Sequence, residues 1–174
     1  IEDTCESLGV KKNKKYLGTF GDIGTYSFYF SHHITTVEGG MIVTSDDYLA
    51  NKIKSLRSHG WTRDMDDASN YEKKFPEIDP RFLFINVGYN LRSTDMNAAI
   101  GLVQLKKLKK YNESRHMIGK KWNEAFSHLK RKGLFFPMEI TKGTKASWFG
   151  FPVLCKSQEI RDKLKIHLEK NGIE

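Results

Sequence analysis

The stretch GTYSFYFSHHITTVEGGMIVTSDD, residues 24–47, sets two adjacent histidines, His32 and His33, between an apolar run and a glycine-bounded turn. An imidazole titrates near neutrality, so it can take up a proton and give it back within one turnover. A packed strand has no need of two such groups at its end, whereas a reaction centre has. Taken alone, a histidine near a strand end is more often structural than catalytic. Neighbours in a strand point to opposite faces, so one histidine of the pair is expected to face a site, and replacing the other, His33, is expected to cost far less. Metal binding fits the pattern poorly. His32, His33, His59, His116, His128 and His167 include no pair four residues apart, the spacing that puts two ligands on one helix face. Cys5 and Cys155 lie 150 residues apart, neither a metal-type spacing nor a disulfide framework. A reducing, cytoplasmic setting is the default.

The elements that must hold these residues follow from length and pattern. A chain of 174 residues suits one domain, or one and a part, and 39% hydrophobic residues suffice for a core. No run of about 18 apolar residues suggests a membrane span. The net charge of +8 favours an anionic partner: nucleic acid, a phosphorylated cofactor or a nucleotide-linked substrate. The basic clusters KKNKK (11–15) and KKLKK (106–110) read as solvated surface, since neither sits among aromatics as a stacking platform would. No nucleic-acid-binding signature accompanies them. The chain starts at Ile1, as though partway along a strand, and ends just after a helix stop at Asn171 and Gly172, so it reads as a fragment cut at both ends.

TYSFYF (25–30) reads as a buried strand and GGMIVTSDD as a second, short one. Asp46 or Asp47 can cap a helix with Leu49, Ile53 and Leu56 on one face and Gly60 at its end. The polar segment from Trp61 to Phe84 has no periodicity and reads as a long loop. Ser93 or Thr94 can cap a long helix reaching about Lys132, with a break near Asn112. WFGFPVLC gives a strand signal, and Ile160, Leu164 and Leu168 give the inward face of a last helix. The order fits an α/β protein with a terminal α+β part.

Together these signals resemble one family. IEDTCESLG resembles the Glu-Asp-x-x-x-x-Leu-Gly strand-end motif of the sugar aminotransferases named after DegT, DnrJ, EryC and StrS. GTFGDIGTYSF resembles their strand leading to the cofactor lysine, and TTVEGGMIVTSD the segment after it. GYNLRSTDMNAAIGLVQLKKL resembles their Gly-Tyr-Asn-x-Arg loop and long helix, and WFGFPVL and LEKNGIE their small domain. The resemblance implies an aspartate-aminotransferase-like, fold type I domain: a mixed, mostly parallel sheet with helices. Residues 1–112 would be part of the large cofactor-binding domain, and 113–174 the long-helix continuation and the start of the small one.

The family's lysine stands five residues after the serine of the Ser-Phe motif, and counting from Ser27 gives His32. Histidine cannot make lysine's covalent bond to the cofactor aldehyde. The same replacement is typical of the family's sugar 3-dehydratases, which remove the C3 hydroxyl of a 4-keto-6-deoxy sugar nucleotide. One dehydratase group carries an iron–sulfur cluster on cysteines after the His-Gly-Trp segment. Here that loop, HGWTRDMDDASNYEKK, has none. RSHGWTRD, YEKKFPEIDPRFLFINVGYNLR and the missing cysteines together resemble the other group, which uses GDP-linked sugars and the B6 cofactor alone.

What it implies for the residues is specific. Asp3 would pair with the pyridine nitrogen, Glu6 would lie near the ring hydroxyl, Ser27 would hold the cofactor phosphate, and Asn90 would reach the neighbouring subunit's phosphate in a homodimer. His32 would be the acid–base catalyst and Arg63 a contact to the sugar or its diphosphate. The working cofactor would be pyridoxamine phosphate, interconverting with pyridoxal phosphate, and glutamate would restore its amine. No metal, nucleic acid or membrane is expected. Without the resemblance, Asp3 and Asn90 read as turn residues and Arg63 as solvated. Two other readings stand beside this one: an aminotransferase on the same scaffold, and a non-catalytic fragment or basic binding module.

Overall fold

The computed structural model describes residues 1–137 and 139–173, with the backbone alone at Phe135 and Pro137. Its centre is a mixed three-stranded sheet in the order β1 (Glu2–Asp3), β4 (Gly24–Ser27), β5 (Gly40–Val43). β1 pairs parallel with β4, Asp3 opposite Thr25, and β5 returns antiparallel to β4. Lys11–Lys12 (β2) and Lys15–Tyr16 (β3) form a tight hairpin, with Asn13 and Lys14 at positive φ in its turn. KKNKK is therefore an ordered turn, exposed as expected except for half-buried Lys12.

Tyr26 anchors the core. It packs with Leu8 and Ile34, and Phe28, Val43 and Leu108 close around them. Its hydroxyl donates to the Leu17 carbonyl at 2.6 Å, which satisfies the one polar atom that burial would otherwise strand. Beside it the Glu2 carboxylate accepts from the amides of Gly18, Phe20 and Gly21 and ties that loop to β1. Those bonds, Gly21's foremost, hold the Glu2 carboxyl below the usual carboxylate range.

β4 is shorter than the expected strand over 25–30. The Ser27 hydroxyl accepts from the Tyr29 amide at 3.2 Å, and the His32 amide bonds the Tyr29 carbonyl at 3.1 Å, so the chain turns away. His32 and His33 thus sit in a bend past the strand end. The return to β5 is pinned by Thr36, whose carbonyl accepts from the Asn97 side chain.

α1 (Asp47–Arg57) is capped by Asp46, as expected. Between Trp61 and Phe84 the structure contains a helix, α2 (Ala68–Lys74), and a 3-10 turn (Pro80–Phe82), where the sequence reads as featureless loop. α2 buries no residue, so no apolar stripe marks it. α3 (Asp95–Leu105) opens with a capping box between Thr94 and Asn97. The break after it falls at Lys106–Lys107, not near Asn112, and α4 (Leu108–Ala125) runs unbroken past that residue. The Asn112 amide turns outward to the Leu8 carbonyl, 2.8 Å away, instead of competing with its own helix. α5 (Ser127–Arg131) follows, then β6 (Phe135–Pro137) paired antiparallel with β7 (Val153–Cys155), and α6 (Gln158–Lys170) capped by Ser157.

The segment between β6 and β7 lies on α4. Gly119 is buried there, and a Cβ at this position would run into the Trp148 indole. Alanine ordinarily favours a helix over glycine by up to about 1 kcal/mol, but a rigid ring cannot yield as a flexible tip would. Gly119→Ala is expected to destabilise the intact protein by about 1–3 kcal/mol, the usual range for overpacking. A urea midpoint at or above that of the parent would show that Trp148 does not pack on this face.

Candidate active site

Parallel pairing brings the carboxyl ends of β1 and β4 to one edge of the sheet, where ligands bind in open α/β sheets. Asp3 ends β1 with its side chain exposed. The Cys5 amide donates to Asp3 Oδ1 at 3.2 Å, and the Cys5 thiol donates to the same carboxylate. The thiol bond, then the amide bond, keep the Asp3 carboxyl below the usual range, and His32 lies near enough to push the same way. The bond to Asp3, with burial behind it, pushes the Cys5 thiol up.

His32 is half-buried. Its ring meets Tyr29 edge-on at 5.9 Å and Phe149 at 5.2 Å, two aromatic walls that limit its tilt. Its Nδ1 is buried without a hydrogen-bond partner. Ser27 is half-buried and uses an oxygen lone pair on Tyr29, which leaves its proton for an acceptor. Glu6 is exposed and shares the rim of an open cleft with Trp148, Phe149 and Gly150. An exposed ionised acid, an imidazole with an orphaned nitrogen and a hydroxyl at one sheet edge fit a flat, phosphorylated, nitrogenous ring.

His33 points elsewhere. It is 1% exposed, and its Nε2 lies 3.0 Å from the Ser147 carbonyl. A carbonyl only accepts, so Nε2 carries the hydrogen. Burial first, then the charge of Arg115 and of His32, holds its pKa down, so the ring is neutral. The pair lies in a bend, so the opposite-face rule for strand neighbours does not apply: His33 engages Ser147 and His32 meets Phe149 of the same segment, and deep burial makes His33 a structural partner rather than a bystander.

The structure does not join Asn90 and Arg63 to this group. Among the described residues, no hydrogen bond or ring contact links either to Asp3, Ser27 or His32. Asn90 is bridged to Ser58 and accepts from Arg92. Arg63 is not freely solvated: its guanidinium lies 4.2 Å over Trp61, which stacks on Phe84 at 5.2 Å, and it donates to the Arg81 carbonyl. Sequence reasoning missed Cys5, His33 and Phe149. The aromatic run WFGF was the one available signal, and it read as strand.

Residues 1–174 match the model of the DegT/DnrJ/EryC1/StrS aminotransferase family, and the chain belongs to that family. A GDP-4-keto-6-deoxy-D-mannose 3-dehydratase of Yersinia pseudotuberculosis is 37% identical over 178 residues, covering 100% of this chain and 44% of that protein. Two solved structures of such a dehydratase superpose with a TM-score of 0.82. One is a histidine-to-asparagine variant with bound GDP-perosamine, 35% identical, covering 99% of this chain and 44% of that one. The other holds a trapped PLP–glutamate geminal diamine, is 34% identical, and covers 98% and 44%. The fold is that of the pyridoxal-phosphate-dependent aminotransferases, and the chain spans less than half the length of these relatives.

The thiol bond to Asp3 gives a pH prediction. A carboxyl whose folded-state pKa is depressed stabilises the fold above its unfolded value, about 3.9, and loses that contribution as pH falls through the folded value. Cys5→Ala removes the largest lowering cause. Asp3 should then titrate at higher pH, and its share of stability should fade earlier on acidification. Carboxyl-carbon NMR checks this, and an unmoved or lower Asp3 midpoint would contradict it.

Proposed function

We propose that the intact protein is a B6-dependent 3-dehydratase acting on a nucleotide-linked 4-keto-6-deoxy sugar, with GDP the favoured nucleotide. It removes the C3 hydroxyl and gives a 3,6-dideoxy-4-keto sugar. The observation that carries this reading is His32: it stands five residues past Ser27, at the carboxyl end of β4, with an unpartnered nitrogen. The names of the relatives support the substrate class, and the adduct named in one solved structure supports glutamate as amino donor. The protein would work as a homodimer in the cytoplasm. Among the described residues no helix is long and apolar enough to cross a membrane.

When bound, pyridoxamine phosphate supplies the amine that engages the C4 ketone and the ring that takes up electrons. The chain's own residues do the rest. Asp3, kept ionised by Cys5, holds a proton on the ring nitrogen. The Ser27 hydroxyl donates to a phosphate oxygen, Glu6 sets the proton balance near the ring hydroxyl, and Asn90 reaches the phosphate across the dimer. Arg63, held flat on Trp61, offers its guanidinium to the diphosphate. His32 as neutral imidazole would take a proton from the cofactor's exocyclic carbon and deliver it to the C3 hydroxyl, which leaves as water; the electron pair comes from the cofactor, left in its aldehyde form, the nitrogen carried on the sugar is lost as ammonia in water, and glutamate restores the amine. Its two aromatic walls keep the ring within reach of both positions. Residues 1–112 carry this machinery, and 113–174 begin the domain that closes over it.

His32→Asn in the full-length protein should leave cofactor binding nearly intact and slow single-turnover dehydration by about 100-fold to 10,000-fold, the usual worth of a positioned acid–base group. His32→Lys should bind the aldehyde cofactor covalently without recovering dehydration. Normal turnover in the asparagine variant would remove His32 from the chemistry.

A further inference from the structure

We propose that His33 is the positioning residue for His32: its buried hydrogen bond to the Ser147 carbonyl registers Phe149 against the His32 ring. The inference rests on the reading of His32 as acid–base catalyst. Its basis is a two-point contact between two short segments far apart in sequence. Adjacent residues of the bend, His33 and His32, meet alternate residues of the other segment, Ser147 and Phe149. Ser147 and Phe149 are only two residues apart, so holding the Ser147 carbonyl limits how far the Phe149 ring can move from His32.

The Ser147 side of the contact is itself anchored. The Ser147 hydroxyl donates to Asn112 Oδ1 at 2.8 Å, and the Asn112 amide donates to the Leu8 carbonyl at 2.8 Å. One residue earlier, the Ala146 carbonyl bonds His116 Nδ1 at 3.0 Å. One residue later, Trp148 packs on Gly119 of α4. The segment cannot slide along α4 without breaking these contacts together. His33 is the group that carries this fixed position over to the bend. A neutral, buried ring suits the task, since it has one donor, spends it on the carbonyl, and leaves Nδ1 unpaired and enclosed. No part of the proposed proton transfer uses His33.

The test uses the full-length protein with histidine Cε1 labelled, the His32 resonance being identified by its loss in His32→Asn. His33→Phe removes the donor and keeps the bulk, His33→Gln restores an N–H donor, and His33→Asn, which is too short to reach, serves if the phenylalanine variant does not fold. In the donor-free variants the His32 resonance is expected to move. Single-turnover dehydration should fall by about 10-fold to 100-fold, the scale of a misplaced group, with KM and cofactor affinity within about twofold. His33→Gln should recover most of both. A folded donor-free variant with an unmoved His32 resonance overturns the proposal, as does a glutamine variant impaired as badly as the phenylalanine one. If the parent dehydrates no 4-keto sugar nucleotide, the functional reading fails, and the resonance alone decides the positioning role.

Discussion

One hydrogen bond, from His33 Nε2 to the Ser147 carbonyl, joins segments 114 residues apart and brings the bend that carries His32 against the segment that carries Phe149. The bend after β4 is held on its own side by Ile34 in the core and by the Thr36 amide on the Phe28 carbonyl, and His33 ties it to the far segment. Across that bond the bend meets a segment that α4 fixes through Asn112, His116 and Gly119. Buried polar groups are costly unless paired, so the chain from Leu8 through Asn112 and Ser147 to His33 leaves few alternative packings. Phe149 reaches His32 across that arrangement, whereas Tyr29 comes from the bend itself.

Electrostatics divides the two acids of the first strand. Glu2 and Asp3 are adjacent, yet Glu2 spends its carboxylate on three backbone amides while Asp3 keeps its own exposed. Alternation along β1 sends one inward as a tie and the other outward as a charge. Cys5, two residues on, then turns amide and thiol back to Asp3 and holds it ionised. A single short strand thus supplies both the fastening of a loop and the negative end of a binding edge.

How far the sequence revealed this depends on the range of the interactions. Asp46, Thr94 and Ser157 cap helices within three residues, so α1, α3 and α6 were legible. The position of His32 five residues past Ser27 could be counted in the sequence because that distance is local. The end of β4 was not, since the Ser27 hydroxyl captures an amide that a strand would have used. α2 has no buried face, so periodicity could not reveal it. The contacts of Asn112 with Leu8, of His33 with Ser147 and of Trp61 with Phe84 join distant residues that no local pattern pairs. Arg63 read as solvated for the same reason: its support is an aromatic stack assembled by the fold.

On the proposed function, an imidazole stands where this family's lysine would hold the cofactor, and non-covalent contacts alone bind it. The most direct measurement is borohydride reduction of the full-length protein loaded with pyridoxal phosphate, followed by peptide mass spectrometry. The account predicts no peptide carrying the reduced cofactor on a lysine, in a protein that nonetheless binds it. A stoichiometric reduced adduct on any lysine would contradict it.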